Sequence, residues 1–165
     1  MGSDSDWALV SKAAEVLKDF RVAFEVHVMS AHRTPDKAAD YARHAERRGI
    51  KVIIAAAGGA AHLAGVLAAN TTLPVIGIPI EGGALHGIDA LLATVQMPAG
   101  IPVATVTLGS AGPTNAALLA VQILATGDAA LATALRRYKE TLKQKVETGN
   151  ARVRQSAADM MSKSA

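Results

Sequence analysis

Cysteine is absent from this chain, which excludes disulfides and thiolate metal sites and suits a reducing compartment. Aromatic residues make up only 3% while half of the chain is apolar, so alanine, valine, isoleucine and leucine must build the interior. Small aliphatic side chains favour helices packed closely on a parallel sheet over an aromatic-rich sandwich. A large excess of one sign of charge is absent too, with a formal net charge of +3 in 165 residues. That small positive excess sits in the tail, since Lys and Arg outnumber Asp and Glu from Arg136 onward. A nucleic-acid role would call for aromatic platforms or a recognisable motif beside that charge, and neither is present. The uncharged run from Val52 to Ala69 contains Gly58, Gly59, His62 and Gly65, and reads as strand, loop and helix rather than as a membrane span. Met1-Gly2-Ser3-Asp4 has neither the basic nor the apolar region of a signal peptide, so the cytoplasm is the expected location.

What is present is the rhythm of an α/β domain with a parallel sheet and crossover helices. Strands are expected at Val22–Met29, Lys51–Ala57, Pro74–Pro79 and Pro102–Leu108, and helices at Asp6–Phe20, Pro35–Arg48, His62–Asn70, Ile88–Gln96 and Pro113–Thr126. A long last helix should start at an Asp128 N-cap and run to about Thr148, before Gly149-Asn150. Its stripe of Leu131, Leu135, Tyr138, Leu142 and Val146 can cover its own domain or reach another subunit. The expected organisation is a single domain over 1–150, followed by a tail over 151–165 that is a frayed helix or disordered. Gly2-Ser3-Asp4-Ser5-Asp6 has the character of a loop between a strand and the first helix, yet Met1 alone stands where that strand should be. Either the start lies too late, at an internal methionine, or the fold lacks a strand that its neighbours expect; the first is favoured, so upstream in-frame DNA is expected to encode an apolar strand of about five residues.

Ser30-Ala31-His32-Arg33-Thr34-Pro35 carries the most chemistry. It sets an imidazole and a guanidinium at a strand end, ahead of a helix with Thr34 as N-cap and Pro35 at the first helical position. The histidine can take and give a proton near neutrality, and the arginine can hold a phosphate or carboxylate in a fixed fork. Gly2 to Asp6 offers backbone N–H groups and hydroxyls suited to a phosphate, though Ser-Asp runs are also ordinary N-caps. Ala57-Gly58-Gly59-Ala60-Ala61-His62 would let backbone approach a flat ligand, or simply make a tight strand-to-helix turn. Glu81 to Gly87 and Gln96 to Gly100 are further loops at that edge, of a kind that closes over ligands or lies exposed. His86 is expected to be exposed, and His27 and His44 to be structural. The five histidines form no metal motif, and neither a Gly-x-Gly-x-x-Gly turn nor a Walker loop occurs.

Together these segments resemble the PurE family. The resemblance rests on Met1 to Trp7, Ser30 to Pro35, Gly58 to Leu63, Val95-Gln96-Met97-Pro98 and Asn115 to Leu119, in order and in register, and runs to about Tyr138. It implies a flavodoxin-like three-layer α/β/α fold assembled as a homo-octamer, with the C-terminal helix binding subunits together. It implies N5-carboxyaminoimidazole ribonucleotide mutase activity in purine biosynthesis, with no metal and no organic cofactor. His32 would be the general acid/base, and carbon dioxide a trapped intermediate held in a dry pocket beside Ala57 to Ala61. Ser3, Asp6 and Arg33 would contact the ribose phosphate part of the ribonucleotide, with Ser5 and Ser30 close by. Gly58, Gly59 and His62 would line the site, His62 without a proton-transfer role.

Departures from the family pattern fall at Ala56, Ala64, Ala90 and Ala93, where extra methyls or lost hydroxyls bear on packing or on substrate contacts. Two other readings stand beside the mutase. One is direct carboxylation of the unmodified ribonucleotide, whose class resembles Gly-Arg-Ser-Asn-Ala where this chain has Gly58 to His62. The other is a non-catalytic nucleotide-binding relative, motivated by the altered loops and the short start. No nucleic-acid or membrane partner is expected.

Overall fold

A computed structural model describes residues 1–162. Three parallel strands, β1 (Ile53–Gly58), β2 (Val75–Ile80) and β3 (Ala104–Thr105), form an open sheet in that order. Around them lie α1 (Trp7–Asp19), α2 (Pro35–Ala45), α3 (Leu63–Ala68), α4 (Ile88–Val95), α5 (Gly112–Ala125) and α6 (Ala129–Ser162). The arrangement is a flavodoxin-like α/β/α sandwich. No described helix is long and apolar enough to cross a membrane, and the Val52–Ala69 run is indeed strand, loop and helix.

β2 is central, and five of its six residues are buried, so its sequence Val-Ile-Gly-Ile-Pro-Ile is a continuous apolar run instead of an alternation. β1 sends alternate side chains to opposite layers: Ile53 and Ala55 join α2 and α3, while Ile54 and Ala56 face α1 and α5. Alanines dominate both interfaces, with Ala38, Ala42 and Ala45 of α2 on one face and Ala116, Ala117 and Ala120 of α5 on the other. Small side chains there let helices approach the sheet closely. At Gly77 in β2 the approach is closest, because a Cβ would overlap Thr94 Cγ2 of α4 and stand 3.0 Å from Val103 Cγ1.

α1 ends in a Schellman turn without glycine. Val22 N–H donates to Leu17 O and Arg21 N–H to Lys18 O, with Arg21 left-handed at φ 56° and Val22 packed against Leu17.

Three expectations are corrected. Val22–Met29 forms no strand ladder, because its neighbour on the sheet side is Met1 alone; Met1 ammonium donates to His27 O, and Met29 N–H donates to Met1 O. Pro102–Leu108 contracts to the two residues of β3. The last helix also does not stop near Thr148. Asp128 caps it as expected, its carboxylate accepting from Ala130 and Leu131 N–H at 2.8 and 3.0 Å. Gly149 then stays helical, whereas a stop there would need the left-handed turn, and α6 runs on to Ser162. Residues 163–165 of the expected tail lie outside the described residues. Leu131 and Leu135 pack on α1 and α5, and Tyr138 meets Phe20 at 5.7 Å between rings. Beyond them Leu142, Val146 and Val153 are exposed.

Candidate active site

The carboxyl ends of β1 and β2 present the loops 58–62 and 81–87, and the loops 2–6 and 30–34 join the first of them at the same edge of the sheet. Open α/β sheets bind ligands there. Loop 30–34 is tied by its own hydroxyls. Ser30 N–H donates to Thr34 Oγ1 at 2.9 Å, and Thr34 Oγ1 donates back to Ser30 O at 3.1 Å. Ser30 Oγ accepts from Arg33 N–H at 3.1 Å and from His32 N–H at 3.3 Å. Thr34 does occupy the N-cap position before Pro35, but its hydroxyl closes the loop and does not cap α2. The loop therefore holds His32 and Arg33 side by side in a fixed order.

His32 Nε2 lies 2.8 Å from His62 Nδ1, with the rings edge to face at 4.9 Å. A contact that short needs one donor and one acceptor, so one nitrogen carries the hydrogen and the other offers a lone pair. Loop 58–62 reaches this position by leaving β1 at Gly58 and turning at Gly59, whose φ of +59° side chains rarely adopt. On the other flank Arg33 Nη2 donates to Gly2 O at 3.3 Å, and Gly2 N–H donates to Ala56 O at 2.9 Å. Gly2 thus links the guanidinium to β1. Ser5 Oγ donates to Ser3 Oγ at 2.8 Å, and Ser3 Oγ also accepts from Ser5 N–H at 3.3 Å, at the start of a 3₁₀ turn over Asp4–Asp6. Burial raises the Asp6 carboxyl above its usual value, against the opposing effects of the Ser3 backbone, the amino terminus and Ser5; Asp4 adds to the rise.

The site is thus an imidazole pair with a guanidinium and a hydroxyl-rich turn beside it, open to solvent on one side: His32, Arg33 and His62 are all exposed. It can exchange protons through one imidazole and bind an anion through Arg33 and the turn.

A profile of the AIR carboxylase family matches residues 1–145. The chain belongs to the AIR carboxylase family. It is similar to proteins named N5-carboxyaminoimidazole ribonucleotide mutase: that of Pyrococcus horikoshii is 55% identical over 147 residues, covering 89% of this chain and 82% of the relative. That of Bacillus subtilis is 56% identical over 146 residues, covering 88% and 90%. Among solved structures, Treponema denticola PurE superposes with a TM-score of 0.80 at 31% identity, covering 88% of this chain and 90% of that one.

Within this AIR carboxylase family chain, the residues singled out by sequence converge in two contacts, Arg33 to Gly2 and His32 to His62. The second was not foreseen. Thirty residues separate the two histidines, and only the parallel placement of loops after neighbouring segments brings them together. His27 meets Tyr41 with tilted rings 5.3 Å apart, and His44 Nδ1–H donates to Asp40 O at 2.7 Å, both away from the pair. His86 is exposed, at φ 49°. The sequence departures Ala56, Ala64 and Ala90 are buried in the core, so they act on packing. The strip Ala57 to Ala61 does not enclose a dry pocket by itself, because Gly58 and Ala60 are exposed and only Ala61 is buried.

Proposed function

We propose that this protein is an N5-carboxyaminoimidazole ribonucleotide mutase, an isomerase of purine biosynthesis that moves a carboxylate from the exocyclic nitrogen to imidazole carbon 4. The observation that carries the reading is the His32 imidazole held beside Arg33 and the Ser3–Asp6 turn, in a chain more than half identical to mutases of that name. In the proposed reaction the carbamate C–N bond breaks, its electron pair returns to nitrogen, and His32 delivers the proton that nitrogen takes. Carbon 4 then attacks the released carbon dioxide, forming the new C–C bond. His32 removes the proton on carbon 4 and returns to its starting state. Atoms and electrons balance between substrate and His32, so the scheme calls on no metal and no cofactor.

Arg33 orients the phosphate, assisted by the hydroxyls of Ser3 and Ser5 and the amides of their turn. Asp6 accepts from ribose hydroxyls. Ser30 fixes the loop that carries His32 and Arg33, Gly58 and Gly59 admit the flat ring, and His62 steadies His32. The open face of the site and the exposed outer half of α6 support assembly into a homo-octamer through C-terminal helices, which would shut carbon dioxide in. The organisation we propose is one domain over 1–150 with 151–165 as an appendage, working in the cytoplasm.

His32→Asn is the test. Turnover should fall by about 10²- to 10⁴-fold, the usual share of a positioned acid/base, while calorimetric affinity for the ribonucleotide changes little. Equal losses of binding and turnover would refute the role. Wild-type protein that binds without turnover would favour a binding module instead.

A further inference from the structure

Loop 30–34 is the tip of a hairpin whose two arms are segment 22–29 and α2. α2 is fixed to the sheet by Ala38, Ala42 and Ala45, which are buried with Ile53 and Ala55. Segment 22–29 is held at its far end by Val22 N–H on Leu17 O, and near the loop by Met29, buried in the same core as α2. Between those points a row of polar side chains links one arm to the other.

Lys37, Tyr41 and Arg48 recur along one face of α2 and of the 3₁₀ turn Glu46–Arg48 that continues it. Next to the loop, Lys37 Nζ donates to Val28 O at 3.4 Å. Farther back the Tyr41 hydroxyl donates to the Glu25 carboxylate, and Arg48 Nη2 donates to both oxygens of that carboxylate. The Arg48 guanidinium also lies 5.3 Å from the centre of the Tyr41 ring. Glu25 and His27, two apart on an extended segment, share a face, and His27 Nε2 stands 3.4 Å from Glu25 Oε1 with its ring against Tyr41. Burial and the hydrogen bond to Glu25 push the Tyr41 hydroxyl up to about 12, so it remains a donor at neutral pH. A lone exposed ion pair contributes little, but here one carboxylate gathers a guanidinium and a phenol from the opposite arm.

We propose that Glu25, Tyr41 and Arg48 are positioning residues, which lock the arms of the hairpin in one register and so set where its tip holds His32 against His62 and Arg33 against Gly2. His62 belongs to a loop carried by β1, so its 2.8 Å contact with His32 measures where the tip stands relative to the sheet. A tip displaced by a slipped register moves the acid/base and the anion-holding guanidinium together. The effect on turnover rests on the mutase reading, whereas the effect on the imidazole pair does not.

The test follows the imidazole NMR signals of His32 and His62 in the ligand-free full chain, and kcat and KM for N5-carboxyaminoimidazole ribonucleotide. Glu25→Gln and Arg48→Met are compared with Arg43→Met, which removes a like charge from the same helix at its pair with Asp40. Each of the first two should shift both imidazole signals, lower kcat by about 3- to 10-fold and raise KM, because His32 and Arg33 move as one. Together they should cost little more than either alone, and Arg48→Lys, which keeps the charge without the planar group, should give an intermediate shift. Arg43→Met should change none of these, and on a His32→Asn background Arg48→Met should lower kcat no further. Unmoved imidazole signals in both Glu25→Gln and Arg48→Met would overturn the proposal. So would an equal response to Arg43→Met, fully additive losses, or a kcat loss that persists in full without His32. Wild-type protein inert toward the ribonucleotide would end the mutase reading and leave the imidazole signals to decide the positioning role.

Discussion

Replacing His62 by alanine should slow the reaction without unfolding the protein. The ring is exposed, so its loss should leave stability within about 0.5 kcal/mol. What disappears is the 2.8 Å hydrogen bond to His32 Nε2. A hydrogen bond of net value about 0.5–1.5 kcal/mol, at about 1.4 kcal/mol per tenfold, corresponds to a loss of about 2- to 13-fold in kcat. Loosened placement of the His32 ring could raise that toward about 10²-fold. Asparagine at position 62 sets an amide near the place of Nδ1 and should recover part of the loss. KM should move less than kcat, because His62 steadies the acid/base and holds the substrate only secondarily. The decisive assay is a double-mutant cycle on single-turnover rates with His32→Asn. Once His32 is gone, adding His62→Ala should cost almost nothing more. If the His62→Ala loss persists in full on the His32→Asn background, the positioning role is wrong. Failure of His62→Asn to recover any activity would refute it too.

Gly77→Ala should lower stability by about 1–3 kcal/mol, because the added methyl meets Thr94 and Val103 in a filled interface; a Tm drop of roughly 3–10 °C checks it. The Glu25 carboxyl is pushed up by burial, yet hydrogen bonds from Arg48 and Tyr41 and the charges of Arg48 and His27 hold it below the ordinary 4.5. Its stabilising contribution is therefore complete above that value and fades as pH falls through the lower folded one. Glu25→Gln should lower Tm slightly at neutral pH and converge with the parent at low pH, so the acid limb of a plot of Tm against pH flattens.

Much of the fold was legible because burial wrote it into composition. β2, buried on both faces, is continuous in apolar residues, and the alanine spacing of α2 and α5 marks the faces that touch the sheet. Segment 22–29 misled for an instructive reason. Its alternation of apolar residues is that of a strand, but a strand exists only with a partner, and Met1 supplies one residue of pairing. Gly149 misled because glycine permits a stop without imposing one. In the site, the Ser30–Pro35 loop could be read locally, since Thr34 and Ser30 close it over four residues. The contact of His32 with His62 could not, being set by tertiary placement alone. A search for two histidines each following a strand-like segment would have raised it as a candidate.

The most direct test of the account is turnover of each candidate substrate by purified protein, with and without added bicarbonate. The account predicts conversion of N5-carboxyaminoimidazole ribonucleotide to the carbon-4 carboxylate without need for bicarbonate. Turnover of only the unmodified aminoimidazole ribonucleotide, and only with bicarbonate, would contradict it.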